Sequence, residues 1–521
     1  MTVSELFAEP VDGLTAEVPS LLASREVRGL ALDSRKVRSG DLFFALPGRH
    51  QDGGRFAQEA LGRGAIAVVL ERSAAGPDES VIEAAIRVSQ PRRALAFVAA
   101  RFHHHPDRRL ALVGITGTNG KTTTALLVAA IAEAAGEAPG FIGTLGSRIA
   151  SEWDPGVLTT PEAPELCDLL ERMVRAGVKH CAMEVSSHAL SQDRVSGLTF
   201  AAAGFTHLTR DHLDFHGTIE AYYLAKRRLF FELLRPEAPA VVNADDAFGG
   251  RLAGELSSSG RPVARFGRGA GVELHITEER LSLEGSAFTL QLASGPLPIR
   301  SPLIGAHNVE NLALAVGLGQ GVGFSHETIA RGLAALTAVP GRLERVEPAD
   351  RSLDPKRRSP LGFVDYAHTD DALSRVLAAL RSLGAAPPRR LLLVFGCGGE
   401  RDPGKRPLMG RAAALGADLV VATSDNPRGE DPDEILRQIV PGLAAGGKSV
   451  VTEEAAQTGA AGYLVESDRR AAIRLAVSLA RPEDVLLVAG KGHETTQTIG
   501  SQKLPFDDRA ELRAALERRA A

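Results

Sequence analysis

Cysteine is scarce in this chain. Its three copies among 521 residues (Cys167, Cys181, Cys397) are odd in number and far apart, which argues against a disulfide framework and a zinc knuckle. Long apolar runs are missing as well. No stretch approaches the roughly 20 apolar residues that span a bilayer, so no membrane partner is expected. The opening residues Met1 to Pro10 carry neither a basic head nor an apolar run, and no signal peptide is expected there. Nor is there a basic excess: 60 basic against 64 acidic side chains give a net charge of −4, with no electrostatic footprint for nucleic acid. No fixed-period repeat is present. What is there is ordinary: 44% apolar and 24% charged residues fit a globular protein, and the length predicts about three domains. The expectation is a cytoplasmic, multidomain α/β protein.

Short apolar runs alternate with longer Ala/Leu-rich stretches of helical period. Strands are expected at Ala65–Leu70, Leu110–Ile115, Val178–Met183, Ala240–Val242, Leu391–Phe395, Leu419–Ala422 and Val485–Ala489. Helices are expected at Thr122–Ala135, Pro164–Ala176, Ala221–Leu234, Asn308–Gly317, Asp370–Leu383, Pro432–Ile439 and Arg469–Ala480. Such alternation predicts parallel sheets with crossover helices. Two joints divide the chain into residues 1–108, 109–340 and 341–521. One is the polar stretch Arg101-Phe-His-His-His-Pro-Asp107, where the His triplet reads as a solvated linker rather than a metal site. The other is Val339-Pro-Gly-Arg342, followed by the Pro-rich segment Glu347–Pro360, which reads as a surface insertion.

Between the strand at Leu110–Ile115 and the helix from Thr122 lies Thr116-Gly-Thr-Asn-Gly-Lys-Thr-Thr123. A loop of this kind turns backbone N–H groups and a helix N-terminus toward one spot, which suits a phosphate chain. Gly117 and Gly120 allow the tight backbone, Lys121 reaches the β/γ-phosphates, and the Thr122 hydroxyl ligates Mg²⁺. A plain strand-to-helix turn is the bland alternative; two glycines and both flanking elements favour nucleotide binding. Glu184 follows a strand, where a carboxylate can complete a Mg²⁺ shell. In Thr206-His-Leu-Thr-Arg-Asp-His-Leu-Asp-Phe-His216, the residues Asp211, His212, Asp214 and His216 fit a hydrolase metal site, a helix cap, or both. Lys226, amid Ala-Lys-Arg-Arg, reads locally as part of a solvated helix face.

Taken together the motifs become specific. The chain resembles the Mur ligases, the amide-forming enzymes of peptidoglycan synthesis, along essentially its whole length. The resemblance rests on Leu32-Asp-Ser-Arg35, Gly40-Asp-Leu-Phe43, Gly117–Thr123, Thr159-Thr-Pro161, Glu184-Val-Ser-Ser-His188, Asp211-His-Leu-Asp-Phe-His-Gly217 and Gly305-Ala-His-Asn-Val-Glu-Asn311. It continues through Pro340-Gly-Arg342, Val364-Asp-Tyr-Ala-His368, Gly396-Cys-Gly-Gly-Glu-Arg-Asp402, Asp425-Asn-Pro-Arg428 and Gly490-Lys-Gly-His-Glu494.

The resemblance implies three domains: an N-terminal one for the uridine nucleotide, a central P-loop domain for ATP, and a Rossmann-like C-terminal one for the incoming amino acid. It assigns Leu32, Ser34, His50, Gln51 and Asp52 to the uridine nucleotide, although the spacing in Gly48-Arg-His-Gln-Asp-Gly-Gly54 departs from the family's. Thr159, Thr160, Ser186, Gln192 and Arg194 are assigned to the muramoyl-dipeptide. ATP is assigned to Gly117, Thr118, Asn119, Gly120, Lys121, Thr122, Thr123, Asn308, Asn311, Arg342 and Asp365. The family's carbamylated lysine falls on Lys226, supporting Mg²⁺ with Thr122, Glu184 and His212. Within the family, Asp425-Asn-Pro-Arg428 is the form associated with meso-diaminopimelate, for which Arg401, Asp425, Asn426, Pro427, Arg428, Gly490 and Glu494 form the implied pocket. An Arg fork binds that amino acid's extra carboxylate and repels the lone ammonium of lysine.

The implied reaction phosphorylates the D-glutamate γ-carboxylate of UDP-N-acetylmuramoyl-L-alanyl-D-glutamate and passes the acyl to diaminopimelate. Lys121, Glu184, His212, Lys226 and Arg342 form the implied catalytic set. A monomer acting on small molecules is expected, with a hinge near Val339–Arg342. Alternatives are the same ligation with L-lysine, a folylpolyglutamate synthase, and an ATP-switched interaction protein that makes no bond. The Leu32–Arg35 and Asp425–Arg428 motifs speak against the second, and the polar clusters around Glu184–Arg194 and Asp211–His216 against the third.

Overall fold

The computed structural model describes residues 1–8, 13–47, 52–73, 81, 83–349, 359–383 and 389–520. His50, Gln51 and most of the Pro-rich segment Glu347–Pro360 lie outside the described residues. Among the described residues, no helix is long and apolar enough to cross a membrane.

The fold is α/β in three sheet-centred parts. The N-terminal sheet orders its strands Ala16–Glu17, Ala85–Val88, Ala67–Glu71, Asp41–Phe44 and Gly29–Ala31, parallel except for the first. The central sheet has eleven strands. Its core is parallel and includes, side by side, Ala240–Asn243, Ala202–Phe205, Ala111–Thr116, His180–Glu184 and Gly140–Gly143. Antiparallel strands finish both edges, Gly285–Leu292 with Gly295–Ser301 at one and Gly146–Ile149 with Glu152–Asp154 at the other. The C-terminal sheet runs Leu361–Asp365, Val485–Ala489, Leu391–Phe395, Leu419–Ala422 and Gly462–Val465 in parallel, with Glu344–Val346 antiparallel at the edge.

Physics explains which expectations hold. Leu391–Phe395 is buried at every position because helices cover both faces of a parallel sheet, and such strands read as unbroken apolar runs. That strand, Leu419–Ala422 and Val485–Ala489 occupy their expected spans. The helix expected at Pro432–Ile439 runs on to Ala445, carrying Pro441 inside it. The helix expected to reach Leu234 is α-helical only over Ile219–Arg228 and then π-helical over Leu229–Leu233. The His triplet is only partly the expected solvated linker: His104 is exposed, but His103 is packed. His103 bonds Glu171 at 2.7 Å and stacks edge-on against Phe102, while His104 and His105 take left-handed φ of 55° and 49°.

The N-terminal part docks firmly. Helix Pro91–Phe102 lies on helix Ala163–Arg175, and their apolar side chains join one core. The central and C-terminal parts meet across a cleft, with the C-terminal ends of both sets of parallel strands opening onto it. Ligands of open α/β sheets bind at that end of the strands.

Candidate functional site

Strand Ala111–Thr116 ends in the sheet's middle, and the chain then turns sharply into helix Lys121–Ala134. Gly117 has φ 141°, and a Cβ there would lie 1.8 Å from Thr206 Oγ1; Gly120 has φ 87°, with Asn311 Oδ1 2.3 Å from its Cβ position. Glycine alone fits both. The Thr118 N–H donates to His207 O at 2.8 Å, tying the loop to the neighbouring strand's exit.

Two lysines converge on this loop. Lys121 Nζ donates to Gly117 O at 3.0 Å and to Thr118 O at 2.7 Å. Lys226 is not on a solvated face: it is 1% exposed, donates from Nζ to Gly117 O at 2.8 Å, and lies 4.5 Å from the Tyr222 ring centre. Tyr222 and Lys226 are four residues apart on one helix and therefore share its inward side. Burial, then the Lys121 charge, holds the Lys226 amine well below the ordinary lysine range against the opposing pull of Asp211. Burial lowers Lys121 too, with Arg342 adding to it and Glu184 opposing.

Glu184, fully buried at its strand's end, accepts from the Thr144 N–H at 2.8 Å and the Thr144 hydroxyl at 3.2 Å. Below it, Thr160 Oγ1 donates to Glu184 O at 2.8 Å and accepts from the Ser186 N–H at 3.1 Å. Arg194 donates to Thr160 O at 2.9 Å and to Gln192 Oε1 at 2.6 Å. Thr159, Thr160, Ser186 and Arg194 line the cleft; Gln192 reaches it only through Arg194.

His212 starts a one-turn helix from a left-handed φ of 53°, and no side chain caps that helix. The cap alternative for Asp211 therefore falls, since its carboxylate accepts the His212 N–H at 2.8 Å instead. His188, His212 and His216 cluster ring to ring. Burial lowers all three to about 4, so their ring nitrogens are neutral near pH 7. Among the described residues, no three His, Cys, Asp or Glu side chains converge as a metal site of their own. One carboxylate, one neutral imidazole and one hydroxyl still suit Mg²⁺, which commonly takes few protein ligands and completes its shell with phosphate oxygens and water. A free ammonium at Lys226 opposes a cation; a carbamate there is an anion and supports one.

Arg342 crosses the cleft, donating to Thr122 Oγ1 at 3.4 Å and lying 4.5 Å from the Tyr366 ring centre. Asp365 accepts the Leu343 N–H at 2.6 Å and the Ala367 N–H at 2.7 Å, and burial raises its carboxyl. Asp371 also bridges the two parts through the Thr209 hydroxyl at 3.2 Å.

The C-terminal side is made of loops that leave parallel strands. Asp425, Asn426 and Arg428 follow Leu419–Ala422, Arg401 follows Leu391–Phe395, and Gly490 and Glu494 follow Val485–Ala489. Asn426 Nδ2 donates to Glu494 Oε2 at 2.9 Å, and Arg428 donates to Gly399 O at 2.6 Å.

One cavity of about 630 Å³ gathers Lys121, Thr122, Glu184, His212, Lys226 and Arg342 with Arg401, Asp425, Asn426, Arg428, Gly490 and Glu494. A smaller one of about 70 Å³ adjoins it, lined by Asn119, Gly120, Thr122, Thr123, Asn308, Asn311, Arg342 and Asp365. Gly117 lines neither wall, and its carbonyl is instead where the two lysines meet. Pro427 also stays off the walls, and Leu32, Ser34 and Asp52 lie in the N-terminal part, away from both cavities. There Ser34 donates to Glu59 at 2.8 Å, and Asp52 caps a short turn through the Gly54 N–H at 3.0 Å.

Sequence reasoning missed several wall residues. Tyr366, His493 and His307 sit inside quoted motifs but received no role, and Thr144, Arg375 and Tyr222 carried no signal at all.

Comparison with known proteins adds the relatives. The Mur ligase family catalytic domain matches residues 26–103, the Mur ligase middle domain 115–319, and the Mur ligase glutamate ligase domain 341–492. The UDP-N-acetylmuramoyl-L-alanyl-D-glutamate–2,6-diaminopimelate ligase of Solibacter usitatus is 46% identical over 499 residues, covering 95% of this chain and 94% of that protein. Its counterpart from Geobacter metallireducens is 43% identical over 497 residues, with 94% of each chain covered. A solved structure of a UDP-N-acetylmuramoyl-L-alanyl-D-glutamate–2,6-diaminopimelate ligase is 32% identical, covers 100% of both chains and superposes with a TM-score of 0.68.

Proposed function

Because the chain belongs to the Mur ligase family, we propose that it joins meso-2,6-diaminopimelate to the D-glutamate γ-carboxylate of UDP-N-acetylmuramoyl-L-alanyl-D-glutamate at the expense of ATP. The observation that carries this reading is the larger cavity. A phosphate loop with two lysines opens on one wall, and an Arg/Asn/Glu set suited to an amino acid opens on the other.

The parts divide the work. Residues 1–108 hold the uridine end, residues 109–340 hold ATP and the dipeptide, and residues 341–521 bring the amino acid. A carboxylate and an ammonium do not condense in water unaided. Transfer of the γ-phosphoryl group to the D-glutamate carboxylate gives an acyl phosphate and ADP. The uncharged amine of diaminopimelate then attacks the acyl carbon, and the tetrahedral intermediate expels phosphate. Lys121 and Arg342 neutralise charge on the transferring group, while Thr159, Thr160, Ser186 and Arg194 orient the acceptor. Thr122, Glu184, His212 and, once carbamylated, Lys226 would hold Mg²⁺, which would supply further neutralisation of phosphate charge. Arg401 and Arg428 take the far carboxylate of diaminopimelate, and Glu494 takes its ammonium.

Phosphate release measured against each substrate tests this. Turnover must require both the muramoyl-dipeptide and the amino acid, and must favour meso-diaminopimelate over L-lysine. ATP hydrolysis that ignores either substrate refutes the ligase reading, and a preference for lysine refutes the choice of amino acid.

A further inference from the structure

Behind the amino-acid wall sits a lysine that the reaction above does not use. Lys491 is fully buried, and its Nζ donates to Asn426 Oδ1 at 3.1 Å and to Glu494 Oε2 at 3.0 Å, with Asp425 Oδ1 at 3.8 Å. The Thr498 N–H also donates to Asn426 Oδ1, at 2.9 Å. Two donors on that oxygen fix which way the amide faces, so Asn426 Nδ2 must turn to Glu494 Oε2, as it does at 2.9 Å. Glu494 then has one oxygen committed to Asn426 and Lys491, leaving Oε1 for a ligand. His493 beside it is neutral near pH 7, lowered to about 4 by burial first and the Arg342 charge second.

We propose that Lys491 is a positioning residue that sets amino-acid specificity. Through Asn426 and Glu494 it adds one positive charge behind the pocket and so favours an amino acid with a zwitterionic far end over one with a lone ammonium. Lys491 stands 3.0 Å from Glu494 and 3.8 Å from Asp425, Arg401 and Arg428 line the same cavity, and the neighbouring Arg469 and Asp508 neutralise each other at 2.7 Å. The far end of diaminopimelate carries an ammonium and a carboxylate and adds no net charge; that of lysine adds one positive charge. In a partly desolvated pocket one unit of charge separates such ligands by about tenfold or more. This rests on the function proposed above.

The test is Lys491→Met, assayed by phosphate release with meso-diaminopimelate and with L-lysine. The ratio of the two kcat/KM values is expected to fall about tenfold or more, carried by the amino acids' KM, while the KM for ATP and for the muramoyl-dipeptide stays put. Lys491→Arg, which keeps the charge, should keep the wild-type ratio. If the Met variant has no folding transition, Lys491→Gln carries the same test with the charge removed and a donor retained. An unchanged ratio, or an equal loss of kcat with both amino acids, overturns the proposal. A wild type that uses both amino acids equally, or neither, overturns the proposed function instead.

Discussion

Replacing Lys226 by Met should make the protein more stable and inactive at once. In the structure Lys226 is a buried amine with one hydrogen bond, to Gly117 O, and it faces the charge of Lys121. Met has similar length, needs no proton acceptor and makes a favourable sulfur contact with the Tyr222 ring, worth about 0.3–1.5 kcal/mol. Gly117 O is not orphaned by the change, because Lys121 still donates to it at 3.0 Å. Replacing a buried amine that folding must deprotonate, or leave charged with little compensation, by an apolar side chain of similar volume is neutral or stabilising by roughly 1–4 kcal/mol. Setting the lost hydrogen bond and ring contact against that gain leaves about 1–2 kcal/mol. For a domain of this size that is a rise of about 2–8 °C in midpoint.

The assay is thermal unfolding in buffer stripped of carbon dioxide, repeated with bicarbonate and Mg²⁺. In stripped buffer Lys226→Met should melt above wild type. Bicarbonate with Mg²⁺ should raise wild type, whose neutral amine can form the carbamate, and leave the variant where it was. Turnover by the variant should fall at least about a hundredfold, the order expected when one electrostatic partner of a phosphoryl transfer is lost. A variant that melts well below wild type in stripped buffer refutes the energetic argument. Equal bicarbonate shifts in both proteins refute the carbamate.

Stability should fall as the pH drops from about 6.5 toward 4. His207 is lowered to about 3 and His307 to about 4, burial first in both, with the Arg375 charge adding to it. Each is lowered in the folded state, so its contribution is whole above the unfolded value and fades below it, by up to about 1.4 kcal/mol per pH unit. A flat urea midpoint across that window contradicts this. Arg342→Ala should raise the KM for ATP and lower kcat by about a hundredfold, read by steady-state kinetics, since it removes the guanidinium that reaches Thr122 across the cleft. Gly341→Ala forces a side chain onto φ 64° with its Cβ 2.1 Å from the His493 N–H nitrogen, so thermal unfolding should show a loss of about 1–3 kcal/mol and the variant should be slower. Scattering with and without ATP plus muramoyl-dipeptide should show compaction about the same joint, and identical profiles would remove the hinge.

Much of the fold was legible because parallel strands buried on both faces leave unbroken apolar runs such as Leu391–Phe395. The strands toward one end of the central sheet were not, because Leu274–Ser282 and Gly295–Ser301 have one wet face and mix apolar with charged residues. Helix ends were blurred for local reasons: Pro441 reads as a stop but is carried inside its helix, and the π-turn at Leu229–Leu233 keeps a helical pattern past the α-helix. The phosphate loop was legible from its two glycines between a strand and a helix, and both φ values require glycine.

The harder residues are those whose role is set by what lies above them in space. Ala-Lys-Arg-Arg around Lys226 has the composition of a solvated surface, and only the inward turn of Tyr222 and the carbonyl of Gly117, more than a hundred residues away in sequence, makes that lysine different. Lys491 is the same case in the other wall: a charge in a Gly-rich loop, ordinary until Asn426, some sixty-five residues upstream, turns out to accept from it. Both lysines are buried: Lys226 lines the cavity beside the Gly-rich loop, and Lys491 stands behind the opposite wall against Asn426 and Glu494. Sequence motifs record the residues that touch ligands, because those need a fixed type at a fixed spacing. Lys491 stands inside one such motif, Gly490-Lys-Gly-His-Glu494, yet spacing alone does not separate a buried charge behind the wall from a residue that touches the ligand.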